Sequence, residues 1–171
     1  MANTYTLISS NTLTSSAASV TFSSIPSTYT DLVLRISART DRGGTSDRLR
    51  LTYNSDTSTN YSNMAIIGDG ATAIPQYASN AAYMQDFYID GNSATANTFG
   101  STEIYIPSYL ASQNKPVSGF SAMEHNAVTA YLSGVAALWR NTAAITSINI
   151  TKIGTNFVSG SSFYLYGIKN S

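Results

Sequence analysis

The segment from Asp31 to Thr40 alternates without a break. Leu32, Leu34, Ile36 and Ala38 fall on one side, and Val33, Arg35, Ser37 and Arg39 on the other. A period of two is what an extended strand with one face on an apolar core requires. Asp47 to Tyr53 repeats it, with Leu49, Leu51 and Tyr53 set against Arg48, Arg50 and Thr52. Between the two, Asp41-Arg42-Gly43-Gly44-Thr45-Ser46 is rich in turn formers, so the sequence predicts a hairpin closed by a loop.

Short strands are also expected at Tyr5 to Ser9, Ser19 to Ser23, Tyr83 to Asp90, Ser101 to Ile106, Ile145 to Ile153 and Ser162 to Ile168. Val117 to Glu124 and Ala127 to Ala137 read as a second hairpin around His125-Asn126, with Gly134 as a candidate bulge. Asn54 to Asn63 has no period and reads as a loop. Met64 to Ile67 fits a strand or a helical turn, and Ala71 to Ala82 is the one stretch that would accommodate a short helix. About nine or ten short strands, with turn chemistry roughly every ten residues and no long helical period, predict an all-β fold. With no helices to cover a sheet, two antiparallel sheets must cover each other, as in a jelly-roll-like sandwich. There is no fixed repeat and no linker, so residues 1–171 are expected to form one domain, with 1–11 as either a core strand or an arm exchanged with a neighbour.

Composition fits this reading. Only 11% of the residues are charged, the formal net charge is zero, and 43% are hydrophobic. Ser and Thr, about a quarter of the chain and well above ordinary usage, supply solubility instead. Absence of cysteine rules out a disulfide scaffold and argues against a zinc ribbon. No apolar run approaches the length of a membrane span, and the first residues lack the basic and apolar regions of a secretion signal. Zero net charge disfavours a nucleic-acid partner.

Residues that could carry chemistry are sparse. His125 is the one histidine, and a Ser-His-Asp site would have to use it. Its neighbour Glu124 is expected to point to the opposite face of the strand. Asp86, Asp90, Glu103 and Glu124 are the carboxylates outside obvious turns. Asp86, Tyr88 and Asp90 should share a face, with the two aspartates roughly 13–14 Å apart, too far for either glycosidase geometry. Asp41, Asp47 and Asp56 lie in or beside loops, where aspartate ordinarily makes Asx turns rather than a calcium site. The expectation is a protein that is not an enzyme and holds no metal or cofactor.

Two groups remain. Arg35, Arg39, Arg42, Arg48 and Arg50 are five of the nine basic residues. If the predicted hairpin forms, Arg35, Arg39, Arg48 and Arg50 turn away from the core on neighbouring strands. They would make either a solvated face or a contact surface, for which the planar guanidinium is suited. Among the aromatics, Tyr105 and Tyr109 flank Pro107, and Trp139 precedes Arg140. Each is a core or subunit-contact residue, or else part of a sugar-stacking platform.

The C-terminal third, Leu138-Trp139-Arg140-Asn141-Thr142, Ala144 to Ile148 and Asn156 to Ile168, resembles the end of small structural proteins of tailed bacteriophages. Ser24-Ile25-Pro26 followed by Tyr29 to Leu32 is similar to their first long strand. Asn54-Ser55-Asp56, Asn60-Tyr61-Ser62 and Gly68-Asp69-Gly70 resemble their central loop. The resemblance implies a virion protein, made in the host cytoplasm and carried on the particle surface. It would decorate and cement the capsid through contacts with the major capsid protein or other virion proteins, and self-associate, as a trimer. The alternative is a tail or fibre module that grips a host-surface glycan.

Overall fold

The computed structural model describes residues 4–126 and 129–169, and among these no helix forms. The strands are β1 (Tyr5–Thr12), β2 (Val20–Phe22), β3 (Asp31–Ala38), β4 (Ser46–Tyr53), β5 (Tyr61–Gly68) and β6 (Ala73–Ala81). They continue with β7 (Met84–Asp90), β8 (Gly100–Ile106), β9 (Lys115–His125), β10 (Thr129–Trp139), β11 (Ile148–Lys152) and β12 (Ser162–Ile168). One sheet has eight strands in the order β1-β12-β3-β8-β9-β10-β5-β6, and the other has four, β2-β11-β4-β7. Every paired neighbour is antiparallel.

The pairings nest. β1 lies with β12, β2 with β11, β3 with β8, β4 with β7 and β5 with β6. Successive pairs fall alternately in the large and the small sheet. A long antiparallel ribbon rolled up on itself gives this order, which is the winding of a jelly roll.

Alternation in the sequence fills the space between the sheets. Leu32, Leu34 and Ile36 of β3, Ile104 and Ile106 of β8, and Phe163 and Leu165 of β12 come from one side. Leu49 and Leu51 of β4, Phe87 and Ile89 of β7, and Ile148 and Ile150 of β11 meet them from the other. Each such side chain contributes about 1.5–3 kcal/mol on burial. The sheets come close at Gly119 of β9. A Cβ there would lie 2.7 Å from the Phe87 ring and 2.8 Å from the Glu103 carbonyl oxygen. Four strands cannot cover eight, so β1 and β6 overhang the core and are largely exposed.

Several sequence expectations are corrected. β3 and β4 are not a hairpin: β3 pairs with β12 and β8, and β4 with β11 and β7, in opposite sheets. The Gly-rich segment between them crosses from one sheet to the other, a path that the alternation of either strand leaves open. Ala73–Ala81 is an edge strand instead of a helix, because β5 offers it a ladder from Ala81 to Ala73. β5 opens at Tyr61, so Tyr61 to Asn63 belong to a strand, not to the loop. Gly134 is in register with both neighbours and makes no bulge. The irregularities lie elsewhere, between Leu7 and Ser9 in β1, Leu49 and Leu51 opposite β7, and Tyr61 and Asn63 opposite β6. β1 pairs with β12 of its own chain, while residues 1–3 and 127–128 lie outside the described residues.

Candidate interaction face

The titratable candidates serve the frame. Asp47 is buried, and its carboxylate accepts from the Thr40 hydroxyl at 2.8 Å, the Arg48 amide at 2.7 Å and the Gly154 amide at 3.0 Å. Asp41 accepts from the amide and side chain of Asn156 and from the Thr155 amide. Asp56 accepts from Ser58, Asn60 and Trp139. In β7 the irregular pairing takes Asp86 into a left-handed backbone (φ 77°). It therefore leaves the alternation expected of it: Asp86 and Asp90 are both buried, while Tyr88 between them is not. Asp86 accepts from Arg48 at 2.9 Å and Asn63 at 2.6 Å. Burial pushes the Asp90 carboxyl above its ordinary range, against the pull of the Glu124 amide at 3.1 Å and the Arg39 charge, and leaves its Oδ2 without a hydrogen-bond partner among the described residues. Glu124 accepts from Thr95, and the His125 ring stacks on Tyr131 with centroids 4.6 Å apart. Among the described residues no group of three or more His, Cys, Asp or Glu is placed to hold a metal ion.

The four arginines do not form one surface, because β3 and β4 are in opposite sheets. Arg35 stands on the outer face of the large sheet, 2.8 Å from Glu103. Arg48 and Arg50 share the outer side of the small one, over the rings of Tyr88 (5.5 Å) and Tyr83 (4.2 Å). Arg39 is buried, its guanidinium donating to the carbonyls of Asn92, Ala94, Thr95 and Thr98 at 2.7–3.2 Å. It organises a loop, because the loop carbonyls replace the water that the buried guanidinium's forked donors have lost.

Two of the three aromatics proposed for sugar contact are also core. Tyr109 is buried and its hydroxyl donates to the Pro26 carbonyl. Trp139 is buried between Tyr53 and Tyr61. Tyr105 alone reaches the surface, and its hydroxyl donates to Asp31 at 2.9 Å.

What the fold leaves uncovered is the outer face of the eight-stranded sheet. Register assembles it in rows that cross the strands. On the β1-β12-β3-β8 half, Leu7, Tyr166, Val33 and Tyr105 form one row, and Ser10, Tyr164, Arg35 and Glu103 the next. Tyr164 and Tyr166 stack at 6.4 Å, and the Arg35 guanidinium lies 6.0 Å from the Tyr5 ring. The first row continues onto β9-β10-β5-β6 as Ser118, Ala136, Met64 and Tyr77, and the second as Phe120, Gly134, Ile66 and Pro75. A third row there is Ala122, Leu132, Gly68 and Ala73. No residue of these continued rows is charged. Phe120 is 66% exposed, Met64 64%, Ile66 61%, Leu132 55% and Tyr77 82%.

The sequence expectation missed this face. Its signal is a strand whose two alternating faces are both free of charge. β10 has Ser133, Val135, Ala137 and Trp139 inward and Leu132, Gly134, Ala136 and Leu138 outward. Such a strand is ordinarily covered on both sides.

The molecule is therefore an all-β, two-sheet antiparallel sandwich with jelly-roll winding and one bare apolar sheet face. No protein-family model matches the chain, and no curated protein matches it. Among solved structures it is similar to the galectin LEC-6 of Caenorhabditis elegans, at 8% identity over 98% of this chain and 96% of that one, with a TM-score of 0.34. It is similar to CG-16, a homodimeric agglutinin from chicken liver, at 12% identity over 85% and 98% of the two chains, with a TM-score of 0.33. It also overlaps the enzymatically active domain of tailspike protein 2 of bacteriophage CBA120, at 12% identity and a TM-score of 0.33, covering 98% of this chain and 29% of that one.

Proposed function

We propose that this chain is a non-catalytic docking module of a tailed-phage particle and that it works through the outer face of its eight-stranded sheet. One observation carries the reading: the charge-free half of that face, where Phe120, Leu132, Met64, Ile66 and Tyr77 stand exposed side by side. Four strands about 4.8 Å apart, with three same-face positions about 6.8 Å apart, span about 400 Å². A patch of that size ranks with the largest that a soluble monomer leaves bare, and such patches are often functional. Covering it would release on the order of 10 kcal/mol before the cost of association. The engaged carboxylates described above support a mechanical role over a chemical one.

On this reading the chain decorates a capsid and adds contact area between shell subunits, stabilising the particle by mass action. Electron cryomicroscopy of intact particles tests it. The expected result is density for the chain on the shell with Phe120 and Leu132 covered by a neighbouring subunit. Density confined to the tail tip would defeat the capsid assignment, and an uncovered apolar face on assembled particles would defeat the docking reading.

A second reading has its own observation. The other half of the face is an open platform of Tyr5, Tyr164 and Tyr166 beside the Arg35–Glu103 pair. Aromatic faces with a nearby charged hydrogen-bonding pair suit a host-surface glycan. A glycan array with the purified protein separates this reading from the first: binding that Tyr164→Ala weakens favours it, and an array with no signal removes it.

A further inference from the structure

We infer that the occupant of the apolar half-face is a second copy of this chain, packed sheet on sheet about a two-fold axis near Gly134. The inference rests on the docking reading above and goes on to name the partner.

Three features of the face select a copy of itself. The first is shape. Gly134 is directly opposite Phe120 on the neighbouring strand. A Cβ at Gly134 would meet nothing within 4 Å except the Phe120 ring, so the ring leans over the glycine and the rest of its outer side stays open. Met64, Ile66, Phe120 and Ala136 rim the resulting hollow. A two-fold contact needs the same patch to carry both the projection and its socket, and here they are adjacent. The second is charge. The rows from β9 to β6 contain no charged side chain, so two identical faces meet without like-charge repulsion and without a burial cost for ions. A face built for a charged partner surface would carry the complementary sign. The third is area. Two copies would bury about 800 Å² of this half, and sheets aligned along their length add the tyrosine half and carry the total past the roughly 1,000 Å² that a specific interface needs.

Sheet-on-sheet packing uses the geometry that the fold already uses inside, with side chains of two faces interdigitating about 10 Å apart. Edge-to-edge pairing is less suited. β6 is an open edge, but Pro75 sits in it and has no amide hydrogen to donate to a ladder.

The test uses the full chain. Light scattering and sedimentation equilibrium at micromolar concentration are expected to give twice the 18.2 kDa chain mass. Phe120→Glu and Leu132→Glu should each weaken that association at least about a hundredfold, with an unchanged circular dichroism spectrum. A second measurement avoids any burden on folding. The chain has no cysteine, so Ala136→Cys introduces a single thiol on the outer face. Oxidation should link it between copies, while Thr21→Cys, exposed on the small sheet, should stay unlinked. A monomer at all accessible concentrations, a trimer, or linkage through Thr21→Cys instead of Ala136→Cys would overturn the inference. Should the wild type be monomeric, particle incorporation separates the two failures. If Phe120→Glu is then excluded from particles, only self-pairing falls. If it is incorporated like the wild type, the docking reading falls with it.

Discussion

The indole nitrogen of Trp139 donates to the Asp56 carboxylate at 2.8 Å, tying the end of β10 to the loop between β4 and β5. The same carboxylate accepts from the Ser58 amide at 2.9 Å and the Asn60 side chain at 3.0 Å. Beneath it, Trp139 packs edge-on to Tyr53 (5.5 Å) and stacked with Tyr61 (6.3 Å), and the Tyr61 hydroxyl accepts from the Tyr53 amide at 2.9 Å. A candidate for sugar contact is thus the floor of a loop. Asp56→Ala leaves a buried indole donor without its partner and is expected to cost about 1–3 kcal/mol in urea unfolding. Asp56→Asn, which keeps an acceptor, should cost less.

The same group sets a pH dependence. Partial burial raises the pKa of Asp56, but the hydrogen bonds from Asn60, Trp139 and Ser58 outweigh it and hold the carboxyl well below its ordinary value of 3.8. A carboxyl depressed in the folded state adds stability that is fully present above the unfolded value and is lost as pH falls towards the folded one. Stability should therefore decline below about pH 4, and the decline should be shallower in Asp56→Ala. Urea midpoints measured from pH 7 to pH 2 in both proteins check this, and parallel curves would refute it.

Arg39 and Arg35 should behave oppositely although both sit in the first alternating segment. Arg39 is buried under four carbonyls, so Arg39→Ala should cost about 2–4 kcal/mol and speed hydrogen exchange across residues 91–99. Lysine should not rescue it, because one ammonium cannot reach all four acceptors. Arg35 pairs with Glu103 in the open, with side chains 57% and 53% exposed. Arg35→Ala should change stability by less than about 1 kcal/mol. Thermal melts of both variants decide the matter.

Gly119→Ala should be destabilising by about 1–3 kcal/mol, since the new methyl meets both the Phe87 ring and a backbone oxygen. Phe87→Leu in the same chain should relieve only part of it, as the Glu103 carbonyl cannot move without its ladder. Full rescue in a double-mutant cycle would show that the ring alone sets the spacing.

Local alternation fixed which side chains of β3, β4 and β12 face inward, because the pleat allows no other assignment of a period-two pattern. It also gave the hairpin of β9 and β10, which follow closely in the chain and pair with each other. It could not say which strands pair across long connections. Asp41 to Thr45 serves equally well as a hairpin loop or as a crossing between sheets, and the choice depends on where β12, β11, β8 and β7 arrive. That choice dispersed the arginines, buried Arg39, turned Trp139 and Tyr109 into core, and let four strands lie side by side with charge-free rows bare on their outer faces. The pair β5 and β6 is far from the pair β9 and β10 in the chain, and only the hydrogen-bonded register of β5 with β10 makes their apolar residues one surface.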